Sequence, residues 1–406
     1  MRAVAITGLG AVGPWGVALD ALVDRLRRGE AAPVAVDRAK GYHRSHGART
    51  ALAVGPLDFS GLVPAAQLRR SSPPARYALA AARLALIDAG LDGLDAAAHG
   101  RTAVVAGTNW GPATVTEQLL VQLLRQSPEL ASPAAFTESV ASAPAAQVAL
   151  TLGARGPNLA VTQREASDLL ALAEGVRAVA TGAAERALVI VVEEATPLLH
   201  AVLDRFRALA QPGDDGVERA RPFDLRRDGF LLAEGAAALV LEADEPARAR
   251  GARRRARIAA VVRGFDPTAP AWDWGQGAAG LAATLARGLE RAGIGLDSIE
   301  RVVSGASGAR RGDRLEANLL TALFGASPPP LAAPKGVTGE GGGGFLAAAL
   351  LAAAGEVVPV TAGFSQSDPE LGIEPLRTSL SDTARRTLVT SLGSGGAAAW
   401  LVLDPA

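Results

Sequence analysis

The residue whose type and setting point most directly to chemistry is Glu165. It follows an apolar strand segment, Leu159 to Thr162, and heads a run in which Leu169, Leu170, Leu172, Ala173, Val176, Val179 and Ala180 recur at helical spacing among mostly small residues. A helix apolar on nearly every side is a buried one. A strand, a sharp turn and a buried helix present the turn residue to a pocket and aim the partly positive helix N-terminus at the same place. Such a seat suits a nucleophile, and here it holds a carboxylate. The helix dipole favours ionised Glu165 by roughly a few tenths to 2 kcal/mol, and desolvation opposes it.

Residue inventory removes several other chemistries. The chain has no cysteine, which excludes disulfides, thiolate metal sites and thiol nucleophiles together. Its histidines are His43, His46, His99 and His200, no two of them at metal-ligand spacing on a helix, and they read as surface or loop residues. A Cys-His or Ser-His-Asp enzyme is hard to build from this set. The stretch Gly8-Leu9-Gly10-Ala11-Val12-Gly13 after a first strand at residues 2–7 spells the dinucleotide fingerprint. Pro14 and Trp15 follow the third glycine, however, and no strand ending in an acid appears at the right distance. It reads as a glycine turn leaving the strand, with nicotinamide binding kept as a remote alternative. Gly341 to Gly344 is not a Walker loop, because no Gly-Lys-Ser/Thr follows; these glycines permit close approach of two backbones.

Composition narrows the partners. With 406 residues, 49% of them hydrophobic, the chain can bury a large core in two domains or two fused halves. Lys+Arg and Asp+Glu balance at 41 each, so no global field favours nucleic acid or an anionic membrane. The clusters Arg253 to Arg255 and Arg310-Arg311 read as solvated. No apolar run reaches transmembrane length, and the chain opens on a strand instead of a signal segment. A soluble, cytoplasmic protein without a cofactor is expected.

The elements that must position Glu165 alternate between strand and helix. The pattern predicts helices at 75–90, 114–125 and 134–152, strands at 101–106 and 186–193, and a hairpin at 230–242. A similar series follows: a helix at 285–293, a strand at 302–308, helices at 314–324 and 345–355, and a closing hairpin at 388–403. Two such halves, 1–250 and 251–406, imply a layered α/β sandwich.

At this point the sequence resembles the β-ketoacyl synthases of the thiolase superfamily over essentially its whole length. The resemblance rests on Val4 to Gly10, Arg155-Gly156-Pro157, Pro222-Phe223-Asp224, Arg227-Asp228-Gly229-Phe230 and Glu234-Gly235. It continues through Gly312-Asp313 with Glu316, Lys335 with Thr338-Gly339, and Gly395-Gly396. It implies a duplicated α-β-α-β-α five-layer sandwich, usually dimeric, with a pocket between the halves. The family's condensing chemistry uses a cysteine and two histidines. Counted from the motifs, those positions fall on Glu165, Ser307 and Glu340, so all three are replaced, while Lys335 remains. The turn that holds the pantetheine arm in the family is Gly308-Ala309-Arg310-Arg311 here and about two residues shorter. The gating loop is Leu392-Gly393-Ser394-Gly395-Gly396.

The resemblance therefore implies a non-condensing, chain-length-factor-like subunit. Its partners would be an active ketosynthase in a heterodimer, or a second copy, together with an acyl carrier protein, in type II polyketide or fatty-acid-like biosynthesis. The alternative is a repurposed enzyme, a malonyl decarboxylase, acyltransferase or cyclase, using Glu165, Glu340 and Lys335. These three are expected to form a small polar cluster, with Lys335 bridged to Asp313, Glu316 or Glu340.

Overall fold

The computed structural model describes residues 2–325, 327–380 and 383–406. Its strands are β1 (Val4–Val12), β2 (Val34–Ala35), β3 (Thr50–Ala51), β4 (Thr102–Gly107), β5 (Asn158–Val161), β6 (Arg186–Glu193), β7 (Gly235–Ala243), β8 (Ala256–Phe265), β9 (Arg301–Ser304), β10 (Leu331–Ala332), β11 (Thr387–Leu392) and β12 (Ala397–Asp404). β2 and β3 pair with each other, and the other strands form one sheet in the order β10-β9-β11-β12-β8-β1-β7-β6-β4-β5. The two halves of that list share one plan: third, second, fourth, fifth and first strand in chain order. Each contains a parallel core, β5-β4-β6 and β10-β9-β11, extended by antiparallel strands. The halves meet where β1 pairs antiparallel with β8 over Val4–Ile6 and Ala256–Ile258.

Parallel neighbours need crossover connections, and the crossover helices build the layers. The helices Ser167–Ala180 and Gly344–Ala353 lie between the two strand sets. Their Leu169, Leu172, Phe345 and Leu351 share one core with Val105, Val189 and Leu239 on one side and Val303, Val389 and Leu401 on the other. Every residue of Gly344–Ala353 is buried, as its Phe-Leu-Ala-Ala-Ala-Leu-Leu run requires. Pro73–Asp88 and Ala143–Leu152 cover one outer face, and Ala278–Arg291 and Arg310–Phe324 the other. This is the thiolase-like five-layer sandwich. Among the described residues no helix is long and apolar enough to cross a membrane.

Three expectations need correction. The glycines at 8 and 10 do not leave the first strand; they are part of β1, which runs on to Val12. A Cβ at either would sit 2.2 Å from a carbonyl oxygen of the helix Pro73–Asp88, Ala85 for Gly8 and Ala81 for Gly10. Helix-on-strand contact, not phosphate binding, demands the missing side chains. Secondly, residues 230–242 are not a hairpin. β7 threads between β1 and β6, while Phe230, Leu232 and Ala233 bridge to Leu209, Glu340 and Leu52. An apolar run with two buried faces leaves its partners open in sequence, and distant strands took them. Thirdly, the segment 134–152 is two helices, Pro133–Glu138 and Ala143–Leu152, the second carrying Pro144 in its first turn.

Candidate functional site

β5 leads through Thr162 and Gln163 into a single 3-10 turn, Arg164–Ala166, and then into the helix Ser167–Ala180. The turn is tight enough to put Arg164 at φ 50°, a left-handed value that costs a non-glycine residue about 1–2 kcal/mol. Ser167 stabilises it: its hydroxyl lies 2.6 Å from the Arg164 carbonyl and accepts the Gln163 N–H at 2.7 Å. The Arg164 guanidinium reaches out to the Ala271 carbonyl at 3.1 Å. Glu165 is thereby turned toward the loop between β11 and β12. Its half-buried carboxylate accepts the Ser394 N–H at 2.8 Å, with the Ser394 hydroxyl 3.0 and 3.2 Å from its two oxygens.

The second arm comes from the other half of the chain. A short turn, Lys335–Thr338, ends at Gly339, whose φ of 71° redirects the backbone so that Glu340 folds back over it. Lys335 is buried, and its Nζ lies 2.8 and 2.9 Å from the two Glu340 oxygens. It also sits 5.0 Å from the centroid of the Phe345 ring, a cation–π distance. Asp168, one helical turn beyond Glu165, accepts the Ser391 hydroxyl at 3.1 Å.

Burial and charge compete across this group. Burial acts to lower the Lys335 pKa, but the carboxylates of Glu340, Asp168 and Glu165 outweigh it and hold the lysine protonated. Burial pushes Glu340 up to about 7; Lys335 opposes that shift and Glu165 adds to it. Burial also raises Asp168, against the pull of Lys335. Glu340 and Asp168 therefore hold protons that exposed acids would release.

The expected cluster of Glu165, Glu340 and Lys335 forms only in part. Among the described residues Lys335 makes its ion pair with Glu340 alone, not with Asp313 or Glu316, and Glu165 feels the lysine through space. Ser307 is buried, but its N–H donates to Asp313 at 3.2 Å, and no hydrogen bond joins it to Lys335 or Glu340 among the described residues. Asp313 also takes the N–H groups of Gly308 and Phe223, so the Gly312-Asp313 motif anchors this turn. Glu316 accepts the hydroxyls of Ser304 and Thr390. Burial pushes Asp313 up to about 6 and Glu316 to about 7.

Asp168, Ser391 and Ser394 were not singled out as site residues by sequence. Asp168 had a findable signal, since a residue three beyond Glu165 shares its helix face. The histidines also depart from expectation: His200 and His99 are buried, not at the surface. Among the described residues no three His, Asp or Glu side chains gather as a metal site.

The model of the beta-ketoacyl synthase N-terminal domain matches residues 1–247. The chain belongs to the beta-ketoacyl synthase family. A protein named as polyketide beta-ketoacyl synthase 1 in Streptomyces cyaneus is 30% identical over 97% of this chain and 95% of its own length. The 3-oxoacyl-[acyl-carrier-protein] synthase 2 of Vibrio harveyi is 29% identical over 70% of this chain and 69% of its own. Among solved structures, the ishigamide ketosynthase/chain length factor is 26% identical, with a TM-score of 0.85 over 100% of this chain and 99% of that one. A beta-ketoacyl synthase from Burkholderia phymatum is 25% identical, with a TM-score of 0.90 over 100% of both chains. This ketosynthase-family chain therefore keeps the family scaffold.

Proposed function

We propose that this chain is a non-condensing, chain-length-factor-like subunit that pairs with an active ketosynthase and works with an acyl carrier protein. The observation that carries the reading is the internal engagement of the replaced positions. Glu165 is held by Ser394, and Glu340 is ion-paired to Lys335, which leaves neither a thiolate to accept an acyl group nor an imidazole to support decarboxylation.

The outer surface supports pairing. β5 closes one end of the sheet with Asn158, Leu159 and Ala160 exposed. The helix Ala143–Leu152, which packs against β5, exposes Leu150 at 76%. A bare strand edge beside exposed apolar side chains is a liability unless another chain covers it. The relative described as a ketosynthase/chain length factor fits that picture.

The test is purification alone and after co-expression with a Cys-His-His ketosynthase of the type II polyketide class. The isolated chain is expected to condense no acyl and malonyl carriers, and the pair to be active. Leu159→Asp is expected to block the complex while leaving the chain folded. Condensation by the isolated chain overturns the reading. A second reading, a decarboxylase, acyltransferase or cyclase, is favoured by one pairing: the buried Glu340 carboxyl, pushed up to about 7 by burial, lies 2.8 Å from the Lys335 ammonium. It requires that Glu340→Gln abolish turnover of a malonyl or acyl carrier by the isolated chain.

A further inference from the structure

His43 and His200 lie far apart in sequence and touch in the fold. His43 Nε2 is 3.1 Å from His200 Nδ1, and the ring centroids are 5.2 Å apart. His200 is fully buried, and its Nε2 lies 3.1 Å from the Thr50 carbonyl. These contacts fix the protons. A carbonyl only accepts, so His200 Nε2 carries hydrogen, and in the neutral ring Nδ1 is then a bare acceptor. His43 Nε2 must therefore be the donor, which leaves His43 Nδ1 bare, and that atom is buried without a partner.

The arrangement holds two ring protons and has no good place for a third. A proton on His200 Nδ1 would face the His43 N–H. A proton on His43 Nδ1 would be an unsatisfied buried donor. Charges around the pair do not rescue it. Arg38 and Arg44 stand on the loop side; Asp204 engages Arg44 at 2.7 Å and the Ala48 N–H at 2.9 Å, and Asp37 caps its own turn. Arg205 is committed to the Tyr42 carbonyl, and Glu218 to the Arg49 and Thr50 N–H groups. Burial lowers both imidazoles from their ordinary value; Arg38 adds to the effect, and Asp204, with the Thr50 carbonyl at His200, opposes it without outweighing burial.

We propose that the His43–His200 pair is a protonation-sensitive latch that holds the segment 37–49 against the helix Pro197–Arg205 and releases it in mild acid. The segment runs straight into β3, and Leu52 beyond it donates its N–H to the Leu232 carbonyl at 2.8 Å. Leu232 in turn bridges to Glu340, so the latch abuts the backbone that shapes the candidate site.

The test is hydrogen–deuterium exchange on the full chain at pH 7.5 and 5.5, corrected for intrinsic rates, alongside ring-nitrogen NMR of labelled histidine. Wild type is expected to show selective loss of protection at 37–49 in acid, by up to about tenfold per pH unit for each proton taken up. At pH 7.5 both rings are expected as neutral Nε2–H tautomers. In His43→Gln the carboxamide can donate to His200 Nδ1 or, flipped, accept from it, so the acid-dependent opening should vanish with the fold intact. Should His43→Gln fail to fold, the tautomers alone decide. An imidazolium at pH 7.5, a different tautomer, or equal acid opening in His43→Gln overturns the latch.

Discussion

Glu165 and Glu340 each stand just ahead of one of the two central helices, and the chain handles their charges differently. Glu340 is deep, 4% exposed, and its partner is an ammonium group that is itself buried against an aromatic ring. Glu165 is half-buried and is held by an N–H and a hydroxyl of one serine, with no cation within ion-pair distance among the described residues. A buried charge needs a counter-charge because it has given up its water. A carboxylate that retains part of its hydration is satisfied by neutral donors. The duplicated scaffold thus presents one acid as part of its core and the other as a half-buried link to the loop between β11 and β12.

Removing the cation should show the larger effect. Lys335→Met leaves Glu340 and Asp168 buried without it and is expected to cost about 3–5 kcal/mol, read as a lowered denaturant midpoint at unchanged m. Lys335→Met with Glu340→Leu should recover the larger part, because an apolar pair of similar volume removes both desolvated charges. A double variant as weak as the single one would show that the aromatic contact of Lys335, not its pairing, holds this arm.

Other buried acids make stability depend on pH, and Glu316 is the one to remove: its hydrogen-bond partners are hydroxyls, while Asp313 adds to its upward shift and Lys335 opposes it. Its folded value, about 7, lies above the ordinary 4.5 of a glutamate. The folded state therefore binds more protons between those limits. The stability from this group is fully present below about pH 4.5 and is lost as pH rises toward 7. Glu193, at about 8, and Glu194, at about 7, add to the same trend. Denaturation from pH 5 to 7 should show wild type weakening, and Glu316→Gln should flatten the slope by about 1 kcal/mol per pH unit. An unchanged slope would place the titration elsewhere.

A layered α/β sandwich was legible because strands and helices alternate with strong periodicity, and the five-layer order came from the family resemblance. β8 was not anticipated: Arg257 and Arg263 interrupt its apolar run, and their ion pairs with Asp404 and Glu174 form only in the fold. At the site, Glu165 was legible from local pattern, and Glu340 and Lys335 from the family motifs. Their pairing was not fixed by spacing alone, since Asp313, Glu316 and Glu340 were equal candidates until Asp313 and Glu316 were seen to be engaged by backbone N–H groups and hydroxyls. Ser394 was invisible as a partner because its bond to Glu165 spans the two halves of the chain. The histidine contact escaped for the same reason: a loop residue and a helix residue meet through tertiary packing.

The smallest effect belongs to Glu165. Glu165→Gln keeps an oxygen for the Ser394 N–H and replaces a charge-assisted bond by a neutral one, so its cost should stay below about 1 kcal/mol. Glu165→Ala removes the acceptor, but the site is partly hydrated and water can serve Ser394, so about 1 kcal/mol is expected. The sharper signature is local. Exchange at residues 393–396 should quicken in Glu165→Ala, stay near wild type in Glu165→Gln, and be unmoved by Lys335→Met with Glu340→Leu. A Glu165→Ala variant as damaged as Lys335→Met would erase the contrast and make Glu165 as much a part of the core as Glu340. A variant that loosens only 393–396 would fix Glu165 as the closure of the site, released by breaking its bonds to one serine.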